Sequence, residues 1–227
     1  MKRSKALSEL VDILTSINLD HPVRVGVDGV DASGKTILAD ELALLIQFRG
    51  HDAIRVSVDD FHNPCKIRYQ QGRTSPKGFY DDSFNYSALI SHVLEPLGPE
   101  GDLKYNSIYF DLNTNSKTYT TWKRAEPEAI LLLDGIFLHR SELRGYWDFS
   151  VFVHADFDII IKRAQERDIE LFGNAKQVRE IYKMRYIPGQ QIYLNTEFPF
   201  QRADILWDNN DFDNPSFTNM RFANKRL

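Results

Sequence analysis

The 227 residues are 42% hydrophobic and 26% charged, proportions that bury a core and exclude an intrinsically disordered chain, and the length fits one α/β core carrying an inserted or lid segment. A net charge of −4 argues against a nucleic-acid polymer or an anionic membrane as partner, since both select basic surfaces. The single cysteine, Cys65, excludes an intrachain disulfide and a multi-cysteine metal site, as suits a reducing compartment.

Near the start, Lys2, Arg3 and Lys5 precede an apolar stretch that Glu9 and Asp12 interrupt, which is not the pattern of a signal peptide. Leu7, Leu10, Val11, Leu14 and Ile17 instead follow helical spacing, predicting an amphipathic helix within about residues 1–20. Val23–Gly29 is β-branched, apolar and ended by glycine, the pattern of a buried parallel strand. A helix follows with Ile37, Leu38, Leu42, Leu45 and Ile46 inward and Gly50 at its end. Ala53–Val58 reads as a second strand closing on Asp59 and Asp60. The stretch Phe61–Asp82 is long for a plain connection and is expected to touch an acceptor.

Ser83 is placed to cap a helix running to about Leu97. A β-hairpin is expected over residues 103–125 around the turn-rich Asn113–Ser116. Ala129–Phe137 is the clearest core strand, and its apolar run is broken by Asp134 and too short to span a membrane. A short helical segment at Glu142–Tyr146 leads to a strand at Phe149–His154. Helices over 156–171 and 174–186, the second interrupted by Pro188 and Gly189, form a lid region of about 157–197. Ala203–Trp207 is the last expected strand, before a polar tail. The alternation predicts a P-loop NTPase fold within one domain, residues 1–227: a central parallel sheet flanked by helices, with a hairpin insertion and a helical lid.

The motif that carries chemistry is Gly29–Thr36, which fits G-x-x-x-x-G-K-[ST] in full and lies between a strand and a helix. Glycines let successive main-chain N–H groups turn toward phosphate oxygens, and the helix presents its positive end. Gly29, Asp31, Ala32, Ser33, Gly34, Lys35 and Thr36, with Ile37 opening the helix, are the expected nucleotide-binding residues. Lys35 would reach the β- and γ-phosphates, and Thr36 would ligate Mg²⁺. Asp134, at a strand end, supplies the second carboxylate a magnesium shell needs.

Gly135 stands after Asp134, where motor ATPases usually carry glutamate. The one Asn-Lys pair, Asn224 and Lys225, lacks the aspartate of a GTPase base-reading motif. Asp59 could accept a proton from an attacking hydroxyl, whereas Asp60 is expected to cap a turn. Arg163 and Arg167, four apart on a helix, are candidates to close over the phosphates.

Together these segments resemble the uridine kinase and phosphoribulokinase group of P-loop kinases. The resemblance rests on Gly29–Thr36, Val58–His62, Asp82–Phe84, Leu131–Phe137, Lys162–Asp168 and Ala203–Ile205. It implies an ATP- and Mg²⁺-dependent phosphotransferase in the cytoplasm, acting on a small-molecule hydroxyl and not on a membrane or a nucleic-acid polymer, with homo-oligomerisation left open. By resemblance, Asp59 matches the catalytic aspartate, Phe61 and His62 the aromatic pair beside it, Arg163 and Arg167 the lid arginines, and Tyr105 a tyrosine bordering the nucleoside.

The family's sugar-binding pattern is replaced by Tyr80–Asn85, which leaves Asp81 or Asp82 to take a ribose diol. Arg185–Tyr193 also departs from the pattern; its Arg, Gln and Tyr side chains, Arg185 first among them, either line the acceptor pocket or connect the lid to the last strand. The readings that stay open are a nucleoside acceptor, another hydroxylated metabolite such as pantothenate or a sugar phosphate, and a nucleotide-sensing module without turnover.

Overall fold

The computed structural model describes residues 2–118 and 120–219; the tail pair Asn224 and Lys225 lies outside them, as does Tyr119 of the expected hairpin. Helix α1 (Arg3–Thr15) buries Ala6, Leu7, Leu10, Val11 and Leu14, one face of its 3.6-residue period. It packs beside α2 (Lys35–Phe48), which follows β1 (Val23–Gly29). Strand β2 (Ala53–Ser57) ends one residue before a single 3₁₀ turn, Val58–Phe61, so Asp59 and Asp60 sit on that turn instead of closing the strand.

The long connection beyond is partly helical, with α3 (Cys65–Arg68) and α4 (Pro76–Asp82). The next helix does not start at Ser83, whose hydroxyl turns back to the Phe79 carbonyl at 2.6 Å. Asn85 caps α5 (Tyr86–Leu89) instead, accepting the Ala88 N–H at 3.0 Å, and a π turn over Ile90–Leu94 ends it. The expected hairpin forms as two short nested ladders: β3 (Lys104–Tyr105) pairs with β6 (Lys123–Arg124), and β4 (Phe110–Asp111) with β5 (Ser116–Lys117).

Strand β7 (Ile130–Gly135) leads, through one 3₁₀ turn at Arg144–Tyr146, to β8 (Phe149–His154). The lid opens with α6 (Phe157–Arg167), which ends at Asp168, and α7 (Ile169–Phe172) follows. Helix α8 (Ala175–Ile181) is capped by Asn174 and runs through a π turn, Tyr182–Tyr186, into α9 (Ile187–Glu197). Pro188 and Gly189 therefore do not interrupt the helix. The widened turn ends just before Pro188, which falls in the first turn of α9, where no N–H is needed.

The chain closes with α10 (Pro199–Arg202), β9 (Ile205–Asp208) and β10 (Ser216–Asn219), an antiparallel strand that the sequence reading missed. The central sheet has the order β10-β9-β8-β1-β7-β2, parallel throughout except for β10. One core lies between the sheet and α1 and α2; a second joins the other face to α4, α5 and the lid. This order puts the C-terminal ends of β1, β7 and β2 side by side, so the P-loop, Asp134 and Asp59 share one rim.

Candidate active site

Gly34, at φ +94°, adopts the left-handed conformation that favours glycine, and its carbonyl accepts the Leu38 N–H at 3.0 Å to begin α2. A Cβ here would also come within 2.5 Å of the Asn209 amide. That amide donates to the Ser33 carbonyl at 2.7 Å, and Arg163 reaches the same carbonyl at 3.3 Å and the Asn209 carbonyl at 2.8 Å. Asn209 is in turn held by Arg3, at 3.1 Å from its Oδ1, and Arg3 pairs with Glu41. Residues of α1, α6 and the β9 exit thus fasten the turn of the loop. A cavity of about 710 Å³ opens over it, lined among others by Ala32, Lys35, Ile37, Arg167 and Phe212.

Thr36 donates from Oγ1 to Asp134 Oδ2 at 2.6 Å, and Arg55 donates to Asp134 Oδ1 at 2.9 Å. Asp134 is almost fully buried. A hydroxyl beside a carboxylate is a donor set for a hard cation that takes one or two protein oxygens and completes its shell with water and phosphate. Thr36 and Asp134 therefore fit Mg²⁺. Among the described residues no cluster of three or more His, Cys, Asp or Glu side chains forms a self-sufficient metal cage.

Negative charge accumulates beside this pair. Asp60 is pushed up to about 6, first by burial and then by Asp59 and Asp134, with Arg55 offsetting part of it. Asp59 is exposed on the 3₁₀ turn; its N–H donates to Ser57 Oγ at 3.3 Å, leaving the carboxylate toward solvent. His62 bonds through Nδ1 to the Asp59 carbonyl at 2.7 Å and lies against the Phe84 ring at 4.5 Å. Burial holds the His62 imidazole below its ordinary value. At neutral pH it is a neutral ring.

Several expected acceptor residues are placed otherwise. Phe61 is fully buried and stacks on Tyr109 at 6.2 Å, so it is core and not a ligand-facing ring. Asp81 is paired with Lys77, and both Asp82 oxygens are occupied, by Gln70 at 3.0 Å and Gln71 at 2.8 Å. Both carboxylates thus already hold partners from the same acceptor-side segment. Tyr105 is buried in β3, which raises its phenol pKa. Arg185 is also buried, donating to the carbonyls of Arg68, Gly72 and Arg73. It braces the acceptor-side loop.

Arg167 is not poised free over the loop. It bonds Asp168 at 2.7 Å, Asp31 at 3.0 Å and the Tyr182 hydroxyl at 3.0 Å. Burial alone would raise Asp31, but Arg167, Lys35 and the Tyr182 hydroxyl outweigh it and hold the carboxyl below its usual range. The lid is thereby tied to the third residue of the P-loop.

Arg55, Asn209 and Asp28 are site residues that the sequence does not single out. Gln190 and Tyr193, three apart on α9, belong to the stretch whose Gln and Tyr side chains are expected at the acceptor or as connectors, and they bond Asp31 and Asp28 on the nucleotide side.

No family model matches the chain. Against individual proteins it is 32% identical over 159 residues to a uridine kinase of Anoxybacillus flavithermus, covering 67% of this chain and 70% of that protein. The chain belongs to the uridine kinase family. A family member from Ligilactobacillus salivarius is 28% identical over 190 residues, spanning 82% of this chain and 85% of the relative. A Bacillus stearothermophilus structure described as a possible uridine kinase superposes with a TM-score of 0.71 at 20% identity, over 89% of this chain and 97% of that one. At that identity the likeness shows a shared fold.

Proposed function

We propose that this chain is an ATP-dependent, uridine kinase-like phosphotransferase that moves the γ-phosphoryl group onto a hydroxyl of a small, nucleoside-like acceptor. The observation that carries the reading is the Thr36–Asp134 pair at 2.6 Å, on the rim shared by the P-loop and Asp59. In this reading the main-chain amides of 29–36 and Lys35 cradle the polyphosphate. Thr36 and Asp134 would hold Mg²⁺, which when bound neutralises charge on the β- and γ-phosphates.

Asp59 takes the proton of the acceptor hydroxyl as its oxygen bonds to the γ-phosphorus, while the bond from that phosphorus to the departing ADP oxygen breaks. Arg163 keeps the loop's turn in place, and Arg167 sits where the lid meets it. The same reading takes residues 1–227 as one cytoplasmic kinase domain, with about 103–125 as an insertion beside the acceptor and about 157–197 as a lid. Among the described residues no helix is long and apolar enough to cross a membrane.

The test is ADP release with ATP, Mg²⁺ and uridine or other hydroxylated acceptors, repeated with Asp59→Asn. The reading expects transfer reduced by roughly 10²-fold or more while calorimetric ATP binding stays intact. Equal turnover by the variant would remove Asp59 from the chemistry. ATP uptake without ADP release for any acceptor would turn the reading toward a sensor.

A further inference from the structure

Helix α1 precedes the P-loop by a whole strand, yet its first residue grips the loop that leaves β9. The Arg3 N–H donates to the Asp213 carbonyl at 3.0 Å, and its guanidinium donates to the Phe212 carbonyl and to Asn209 Oδ1, each at 3.1 Å. The same guanidinium lies over the Phe212 ring, 4.0 Å from its centroid. Glu41, on α2, accepts from it at 2.6 and 3.0 Å. Arg3 is buried and its charge is met by that carboxylate, so it is not itself a phosphate ligand.

Phe212 is held but not covered. It remains 38% exposed and lines the cavity of about 710 Å³ over the P-loop, with Arg3 against its ring. Ile37, on the first turn of α2, is 49% exposed and lines the same cavity. Phosphates gain from Lys35, Thr36 and Arg163 in that wall, but nothing from a phenyl ring or a branched alkyl group. Two large apolar side chains facing one cavity gain only when a flat, weakly polar group enters and removes them from water. A cavity of this size has room for such a group besides the phosphates, and a nucleotide carries one at the end opposite them.

The ring is also fixed in place. Besides the three bonds from Arg3 to the loop, Asp211 Oδ1 accepts the N–H groups of Asp213 and Asn214 at 3.0 and 3.1 Å. A loop tied on both sides of Phe212 presents its ring already ordered, which lowers the entropic cost of stacking on it.

We propose that Phe212 is the platform on which the base of the nucleotide stacks, and that Arg3 is the positioning residue that holds the ring over the cavity. Helix α1 is then a part of the nucleotide site and not only a cover for the core. This rests on the kinase reading and adds to it the residues that take the base end of ATP.

Calorimetry in the presence of Mg²⁺ would compare ATP with inorganic tripolyphosphate, which has the phosphates and lacks the base. Phe212→Ala should weaken ATP binding tenfold or more and leave tripolyphosphate binding unchanged, the effect expected from losing one base–aromatic stack. Phe212→Tyr keeps the ring and should keep ATP affinity. Because the ring is partly exposed, both variants should melt near the temperature of the unsubstituted protein. Arg3→Gln should weaken ATP more than tripolyphosphate, and that difference should disappear in the Phe212→Ala background, since two residues acting through one ring do not add. Should Arg3→Gln fail to fold, the two Phe212 variants decide the platform alone.

A Phe212→Ala protein that loses ATP and tripolyphosphate equally, or loses neither, overturns the platform and leaves the kinase reading standing. An Arg3→Gln loss shared equally by both ligands overturns the positioning role. Failure of the folded, unsubstituted protein to bind either ligand overturns the platform and the kinase reading together. Phe212-dependent ATP binding without ADP release for any acceptor overturns the kinase reading and supports the platform.

Discussion

Gln190 Oε1, on α9, accepts the main-chain N–H of Asp31 at 2.6 Å. One turn further along the same face, the Tyr193 hydroxyl donates to Asp28, the residue before the P-loop, and accepts the His139 N–H at 3.0 Å. Gly189, beside them, lies so close to α4 that a Cβ would meet Phe79 Cδ1 at 2.7 Å and the Pro76 carbonyl at 2.8 Å. A single turn of helix therefore touches both the nucleotide loop and the wall of the acceptor side.

The first prediction concerns Tyr193. Asp28 is fully buried, and burial raises its pKa; the hydroxyl of Tyr193 is one of few groups that favour its charged form. Tyr193→Phe removes that donor without opening a cavity, and leaving a buried acceptor unsatisfied costs roughly 1–3 kcal/mol. Chemical denaturation should show a loss of that size. Gln190→Met removes the acceptor for the Asp31 amide together with the donor to the Tyr186 carbonyl, so it should cost stability on the same scale and weaken ATP binding as well.

The second prediction concerns Asp60. Its folded pKa of about 6 lies above the ordinary aspartate value of 3.8, so the folded state favours the protonated acid more than the unfolded chain does. The stability linked to that preference is fully present below about pH 4 and is lost as pH rises through about 6. Asp60→Asn, which keeps the shape and removes the charge, should therefore melt at a higher temperature than the unsubstituted protein at pH 7–8 in metal-free buffer. The two should converge near pH 4. An equal difference at both pH values would mean that Asp60 acts through packing and not through repulsion from Asp59 and Asp134.

The distribution of legible and illegible features follows from the range over which each is encoded. Gly29–Thr36 is local, and its chemistry was readable because eight consecutive residues make the whole device. The pairing of Thr36 with Asp134 was readable because both stand at strand ends that P-loop topology brings together. The helix break at Pro188 was misread because a π turn, a property of backbone spacing five residues wide, absorbed the proline. Phe61 and Asp82 were assigned to the acceptor by pattern, yet core packing claims the one and Gln70 and Gln71 the other. Contacts such as Gln190 with Asp31, 159 residues apart, leave no trace in a local window.

Asn209 carries the last prediction. It is buried, its Nδ2 holds the Ser33 carbonyl at 2.7 Å, and its Oδ1 takes Arg3 at 3.1 Å. Asn209→Ala removes both contacts, frees the Ser33 turn of the P-loop and should lower ATP affinity by about tenfold, near the 1.4 kcal/mol equivalent of one buried hydrogen bond. Asn209→Asp is the sharper probe, because it keeps the size and the pairing with Arg3 while losing the donor to Ser33. The same change replaces a donor with a negative charge facing the Ser33 carbonyl, in a cavity that receives a polyphosphate. ATP affinity should fall further in Asp than in Ala, while acceptor KM stays constant in both. If the aspartate variant bound ATP as well as the unsubstituted protein, Asn209 would be an anchor for α1 alone and not a support of the nucleotide loop.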